Sequence, residues 1–194
     1  MIYLWRVPEK FLNCNIGTYN RNCSPDSYFL RTGRKLESQE FMPIPTVNFE
    51  VAKNKLSKFD CLPNSSLVPL VNNRIKAIFE QLAPGEAQFF PAKLICLDGQ
   101  LEGYHFLNIT QTIIGIDHEK SIYKKMKTDD VIIGFDYLTY IPDCMGNYHL
   151  ARDEEYLQHI LVSDVIKSFF EKERITGVWL VRPEDYFRPL SALI

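Results

Sequence analysis

Three stretches of the sequence hold side chains whose types and spacing suit chemistry. Asp117, His118 and Glu119 are adjacent, with Ser121 close behind, and an Asp–His neighbour pair can ligate a metal or act as an acid/base couple. No second His or carboxylate follows at i+3 or i+4, so the two-histidine helical zinc pattern is missing. The simpler reading makes Asp117 the N-cap of a short helix running to Lys125, with Glu119 favoured near its positive end. His149, Asp153 and His159 form a second group. A neighbouring strand could bring the imidazoles together, and surface or hydrogen-bonded core histidines are the alternative. Cys144 lies in IPDCMGNYH near Asp143 and His149, and a loop cysteine beside a histidine can be activated as thiolate. No signature of a cysteine nucleophile surrounds it. The run Arg152, Asp153, Glu154, Glu155 reads as a solvated turn, or as a rim that meets a basic partner. Phosphate-binding glycine motifs, a nucleophile elbow and a calcium loop are all missing from the sequence. The residues therefore offer no catalytic constellation, no cofactor cradle and no metal site.

Periodicity shows which elements would carry these groups. Residues 1–7 predict an opening strand, with Tyr3 and Trp5 on one face and Ile2 and Leu4 on the other. Residues 13–45, rich in Asn, Ser, Arg and Pro, predict an irregular arm with one helical turn near 28–30. Val47, Phe49 and Val51 alternate with polar neighbours, a half-buried strand over 46–52. Val71, Ile75, Ile78, Phe79 and Leu82 make one apolar stripe, which predicts a helix over 73–82, capped by Asn72 and stopped by Pro84-Gly85. Strands over 87–97 and 103–109 flank Asp98-Gly99 and predict a hairpin. Further strands are predicted at 111–116 and 131–141. A second helix spans 164–173, capped by Ser163, with Val165, Ile166, Phe169 and Phe170 inward; Gly177 and a strand over 178–181 follow.

The two helical units resemble each other. With one inserted residue, the segments starting at Leu70 and Leu161 match at Leu70/Leu161, Val71/Val162, Ile75/Ile166, Lys76/Lys167, Phe79/Phe170, Glu80/Glu171, Gly85/Gly177 and Pro91/Pro183. Any strand–helix–strand unit shares part of this pattern, and two copies are too few for a solenoid. The expected fold is a single α+β domain. It has a mostly antiparallel or mixed β-sheet, two main helices packed on it and an irregular N-terminal arm. Residues 1–60 form the variable front portion of that domain and 61–194 its core.

Composition narrows the function classes. The 194 residues carry a net charge of −2, without the basic balance a nucleic-acid binder normally shows. The 13 Phe and 10 Tyr fill a core and also suit protein interfaces. Cys14, Cys23, Cys61, Cys96 and Cys144 are scattered and odd in number, with no C-x-x-C pair, so a disulfide framework or zinc site is not expected. MIYLWRVPEKF lacks the apolar core of a signal peptide, and no run approaches the roughly 18 apolar residues of a membrane span. A cytoplasmic protein with no membrane and no nucleic-acid partner is expected.

From Leu67 onward the motif order resembles a known family. PLVNNRIKAIFEQLAPGEAQFFPAKLI, GYHFLNITQTIIGIDHEKSIY and YHLARDEEYLQHILVSDVIKSFFEKERITGVWLV are similar to immunity protein family eleven, found beside polymorphic toxins in bacteria. The points of match are the Val71 helix leading into QFFP, Leu107-Asn108, Asp117 with Ser121, and the VSD helix ending at Gly177. The resemblance leaves the first 60 residues outside. It implies a binding protein, not an enzyme, that neutralises a cognate toxin by blocking its active site or substrate entry. No cofactor is implied, and the free protein is expected to be a monomer or weak dimer. Toxin contacts are then expected in the N-terminal arm and in two charged turns, at Asp117, His118 and Glu119 and at Arg152, Asp153, Glu154 and Glu155. Two other classes stay open. One is a small enzyme using Asp117, His118 or Cys144 to reverse a toxin-made modification; the other is an effector chaperone or adaptor.

Overall fold

Cap, stripe and stop residues place the helices where the periodicity predicts them, except that Val165, expected to face inward, is 44% exposed. In the computed structural model, which describes residues 1–126 and 131–186, the first long helix is Asn73–Leu82 and the second Asp164–Lys172. Asn72 Oδ1 accepts from the backbone N–H groups of Arg74 and Ile75, at 3.0 and 3.1 Å, and Ser163 Oγ accepts from Ile166 N–H. Each such cap is worth about 1 kcal/mol.

In chain order the first half contains β1 (Ile2–Arg6), β2 (Thr18–Tyr19), β3 (Thr46–Asn48), α1 (Lys53–Leu56), β4 (Cys61–Leu62), β5 (Leu70–Asn72), α2 (Asn73–Leu82), β6 (Ala87–Pro91), β7 (Lys93–Cys96) and β8 (Gly99–Leu101). The second half contains β9 (Tyr104–Ile109), β10 (Thr112–Ile113), β11 (Ile122–Lys125), β12 (Ile132–Tyr137), β13 (Leu150–Asp153), β14 (Ile160–Ser163), α3 (Asp164–Lys172) and β15 (Trp179–Val181). Together they make one α+β domain of mixed and antiparallel sheets.

Two of the sheets follow one plan. The first has strand order β4-β5-β9-β6; the second runs β13-β14-β1-β15, with β10 added in parallel on its β13 edge. Val71 faces Cys61 and His105, while its sequence match Val162 faces Leu150 and Tyr3. Leu70 faces Leu62 and Phe106, and its match Leu161 faces Ala151 and Leu4. The backbone N–H of Asn72 donates to Asp60 O at 2.9 Å, and that of Ser163 donates to His149 O at 3.0 Å. The repeat seen in the sequence is therefore a repeat of register and capping as well as of residue type. One matched pair is corrected. Phe90 lies opposite Phe106 and Val181 opposite Leu4, so Phe90 and Val181 are counterparts, and Pro91 and Pro183 fall one residue apart.

The central strands are exchanged between the units. β1 opens the first half of the chain but lies between β14 and β15, whereas β9 opens the second half and lies between β5 and β6. α2 and α3 contribute to one apolar cluster, where the matched Phe79 and Phe170 rings sit 5.7 Å apart and Trp5 lies 6.2 and 5.9 Å from them. Matched Val71 and Val162, and Ile75 and Ile166, are fully buried in this cluster. Burying one such side chain contributes about 1.5–3 kcal/mol.

Each sheet's other face has its own cover. The arm, with β3 and α1 after it, lays Leu30, Phe41, Val47 and Leu56 on Leu70 and Phe106 of the first sheet. Residues 112–126 and 131–145 lay Ile116, Phe135, Leu138 and Tyr140 on Leu4 and Leu161 of the second. The arm is more ordered than its composition predicts. β2 and β3 join β7 and β8 in a four-stranded sheet, and residues 27–31 form the expected helical turn as a 3-10 helix.

Three expectations about elements are corrected. The strand over 87–97 is two strands in different sheets, because the chain turns at Ala92; β7 makes the Asp98-Gly99 hairpin with β8, while β9 pairs with β6. The strand over 46–52 is confined to β3. The short helix after Asp117 is a single turn followed by β11, since Ile122 and Tyr123 pair with β12 instead of continuing a helix.

Candidate functional site

β11 and β12 stand as a separate two-stranded ribbon on the second unit's cover. Tyr123 and Phe135 turn inward, while Ile122, Met126, Val131 and Ile133 are exposed at 60%, 46%, 52% and 53%. Lys124 Nζ and Asp136 Oδ1 pair across the ribbon at 2.7 Å. Residues 127–130, between the two strands, lie outside the described residues.

At the base of the ribbon the two charged turns meet. His118 Nε2 lies 2.6 Å from Glu155 Oε1, and His118 Nδ1 lies 3.2 Å from the Tyr123 hydroxyl on β11. Asp117 builds the turn that holds His118. Its Oδ1 accepts from the N–H groups of Glu119 and Lys120, and its Oδ2 pairs with Lys120 Nζ at 2.7 Å. The hydrogen bond from Lys120 holds the Asp117 carboxyl below the usual range. His118, Glu119 and Glu154 are exposed, and Glu155 is half-buried. Glu154 also accepts from Thr112 Oγ1 at 3.2 Å.

Arg152 and Asp153 do not belong to a solvated turn. They end β13 and are 1% and 0% exposed. Arg152 reaches under the arm and donates to Leu157 O at 2.7 Å and Leu30 O at 3.3 Å. Burial, reinforced by Arg31, pulls its pKa down to about 10. Asp153 Oδ1 accepts from the N–H groups of Glu155 and Tyr156, which shapes the turn presenting Glu155. Its Oδ2 accepts from the Tyr140 hydroxyl, whose other neighbour is His159 Nδ1 at 3.1 Å.

The second sequence group is thus brought together in part. Asp153 and His159 meet through Tyr140, which sequence reasoning missed because nothing in its neighbourhood marks it. His149 points elsewhere, its Nδ1 2.9 Å from Ser163 Oγ. Burial lowers the His159 pKa to about 3 and raises that of Asp153. His159, ringed by Phe135, Tyr156 and Tyr186, is a neutral core histidine. Cys144 has its thiol pushed up to about 11 by burial and by Asp153, the opposite of an activated thiolate.

Among the described residues, no group of three or more His, Cys, Asp or Glu side chains could hold a metal ion. No helix among them is long and apolar enough to cross a membrane. What the geometry assembles is one surface: a ribbon with an exposed apolar face, a histidine–carboxylate pair at its base and exposed carboxylates beside it.

The sequence model of the Immunity protein family (Imm11) matches residues 12–185, and the chain belongs to that family. The match takes in the arm, which the resemblance had left outside. The family implies an immunity protein directed against a toxin. A search of curated proteins gave no match.

Proposed function

We propose that this protein binds one cognate toxin domain and neutralises it by covering its active site. The contact face would be built from the ribbon and the charged turns beneath it. The observation that carries this reading is the 2.6 Å contact between His118 and Glu155, which fuses two turns distant in sequence into one surface continuous with exposed Ile122 and Ile133. His118, Glu119, Glu154 and Glu155 make direct contacts, while Asp117, Arg152 and Asp153 hold the turns in shape. Apolar side chains ringed by charges are the anatomy of a specific interface, with a desolvated centre and a polar rim. Neutralisation is by occupancy and needs no chemistry from this chain. The toxin acts in the cytoplasm, where the protein meets it.

The test is co-expression with the product of the adjacent gene. Growth is expected to be restored, a stable one-to-one complex to purify, and toxin activity to be lost in that complex. Ile133→Asp combined with Glu155→Arg is expected to abolish rescue while leaving the fold intact. Rescue without any complex would instead indicate an enzyme that reverses the toxin's product. A complex in which the toxin stays active would indicate a chaperone.

A further inference from the structure

A second surface lies between the two units. Residues 64–68 connect β4 to β5 in a loop tied down by its own buried polar groups. Asn64 and Ser66 are each only 5% exposed. Asn64 Nδ2 donates to Val68 O at 2.8 Å, Ser66 N–H donates to Asn64 Oδ1 at 3.0 Å, and Leu67 N–H donates to Asn64 O at 3.1 Å. The arm clamps the loop from outside, through Ser65 N–H to Gly17 O and Tyr19 N–H to Ser65 Oγ, both at 2.9 Å.

This network holds Leu67 at φ +62°, a left-handed conformation that costs a γ-branched residue about 1–2 kcal/mol, yet its side chain is 61% exposed and contributes little to the core. Gly or Asn would adopt that conformation more easily. A strained backbone that presents a large apolar side chain to solvent points to a contact made outside the chain.

Leu67 stands on the rim of a cleft of about 310 Å³ whose walls include Trp5, Leu62, Val68 and Ile160. Arg6 is at the same cleft, stacked at 5.3 Å on Trp179 and 4.9 Å on Tyr186; its Nη1 donates to Tyr186 O, and it pairs with no carboxylate among the described residues. The internal repeat gives a reference. Register makes Asn108 the counterpart of Arg6, and the arm seals Asn108 completely, Asn108 Nδ2 donating to Arg34 O at 2.9 Å. Arg6, in the second unit, stays half-exposed beside an open cleft.

We propose that Leu67 and this cleft form a second docking site for the toxin, one that takes a large apolar side chain flanked by a carboxylate. The apolar group enters the cleft against Leu67, and the carboxylate pairs with Arg6. The proposal rests on the toxin-binding reading and adds a contact separate from the ribbon.

The test uses the full chain and its complex with the adjacent gene's product. Leu67→Gly relieves the left-handed strain and removes the anchor, so stability and binding are expected to move in opposite directions. The urea midpoint should hold or rise, while the dissociation constant weakens by about tenfold or more. Arg6→Gln should weaken binding at low salt and flatten its salt dependence. If Leu67→Gly binds as tightly as the parent while the ribbon variant fails, this site is overturned and the toxin-binding reading stands. A Leu67→Gly protein of markedly lower stability would make Leu67 a packing residue and also overturn the proposal. If the parent itself forms no complex, both readings fall together.

Discussion

Where Asp60 closes the first unit, His149 stands in the second. The Asp60 carboxylate accepts from Asn72 Nδ2 at 2.9 Å and from Thr176 N–H and Oγ1 at 2.9 and 3.0 Å, and lies 3.6 Å from Arg74. His149 turns to Ser163, and the carboxylate there is supplied by Glu86, which accepts from the N–H groups of His149 and Leu150 at 2.9 and 2.7 Å. The backbone plan is the same in both. In each, the loop after one unit's helix closes the strand entry of the other, through Thr176 in one direction and Glu86 in the other. The difference teaches that the plan fixes where a buried acceptor is needed and leaves open which segment provides it. A buried backbone N–H without a partner costs about 1–3 kcal/mol, so one of the two segments must supply that acceptor.

The sharpest break in the comparison is at the matched glycines. Gly85 and Gly177 have φ values of +79° and +83°. A Cβ at Gly177 would sit 1.9 Å from Cys61 O, whereas one at Gly85 meets nothing within 4 Å. Gly177→Ala is expected to cost on the order of 4 kcal/mol or more and to leave little folded protein in urea titrations. Phe79→Ala and Phe170→Ala come next, each expected to cost about 3–5 kcal/mol. Because the rings touch, the double variant should deviate from additivity by about 0.5–3 kcal/mol in a mutant cycle.

Acid should separate the two covers. His159 is held neutral with a pKa of about 3 by burial, so the unfolded chain binds a proton near pH 6.5 that the folded chain refuses. The stability contributed by His159 is present above about pH 6.5 and is lost as pH falls toward 3, by about 1.4 kcal/mol per unit. Asp153 has the opposite sign. Its pKa is raised, so its contribution is present at low pH and lost as pH rises through the folded value, and it offsets part of the acid loss. His159→Phe is therefore expected to flatten the acid limb of urea midpoints measured across a pH series. Amide exchange should show residues 112–126 and 131–145 opening before the arm. The smallest effects belong to positions that meet no close contact. Gly85→Ala should cost about 1–2 kcal/mol from backbone conformation alone. His118→Ala, on an exposed pair, should shift stability by about 1 kcal/mol or less while weakening toxin binding, as read by calorimetry.

The helices, their caps and the repeat were legible because they rest on local signals: stripes at Ile75 and Ile166, Asn72 and Ser163 at the N-termini, and glycines at the stops. Sheet membership was not. Pro91, which has no N–H to give a ladder, is the one local sign of a break before Ala92, and it does not say that Phe89 and Ile95 belong to different sheets. Arg152 and Asp153 look like surface charges, and their burial needs long-range partners, Leu30 O and the Tyr140 hydroxyl, besides the local ones at Leu157, Glu155 and Tyr156. Asp117 reads as a helix N-cap and instead caps a single turn before β11, because a cap does not say whether a helix or a strand follows. The joining of His118 to Glu155 depends on two loops that the tertiary fold alone brings together. The strain at Leu67 needs the Asn64 and Ser66 network, which reads in sequence as an ordinary polar loop.

The exchanged strands also set a schedule for the protein's birth. Ile2 pairs with Ser163, and Leu4 with Val181, so β1 leaves the ribosome about 160 to 177 residues ahead of the strands that must flank it. During that interval Leu4 and Trp5 have no sheet to enter. The second unit can close only once β15 has been synthesised, and until then the cell holds a chain with a waiting hydrophobic strand. Folding of the second unit would then track completed chains, and a nascent copy that lacks β15 would leave it open.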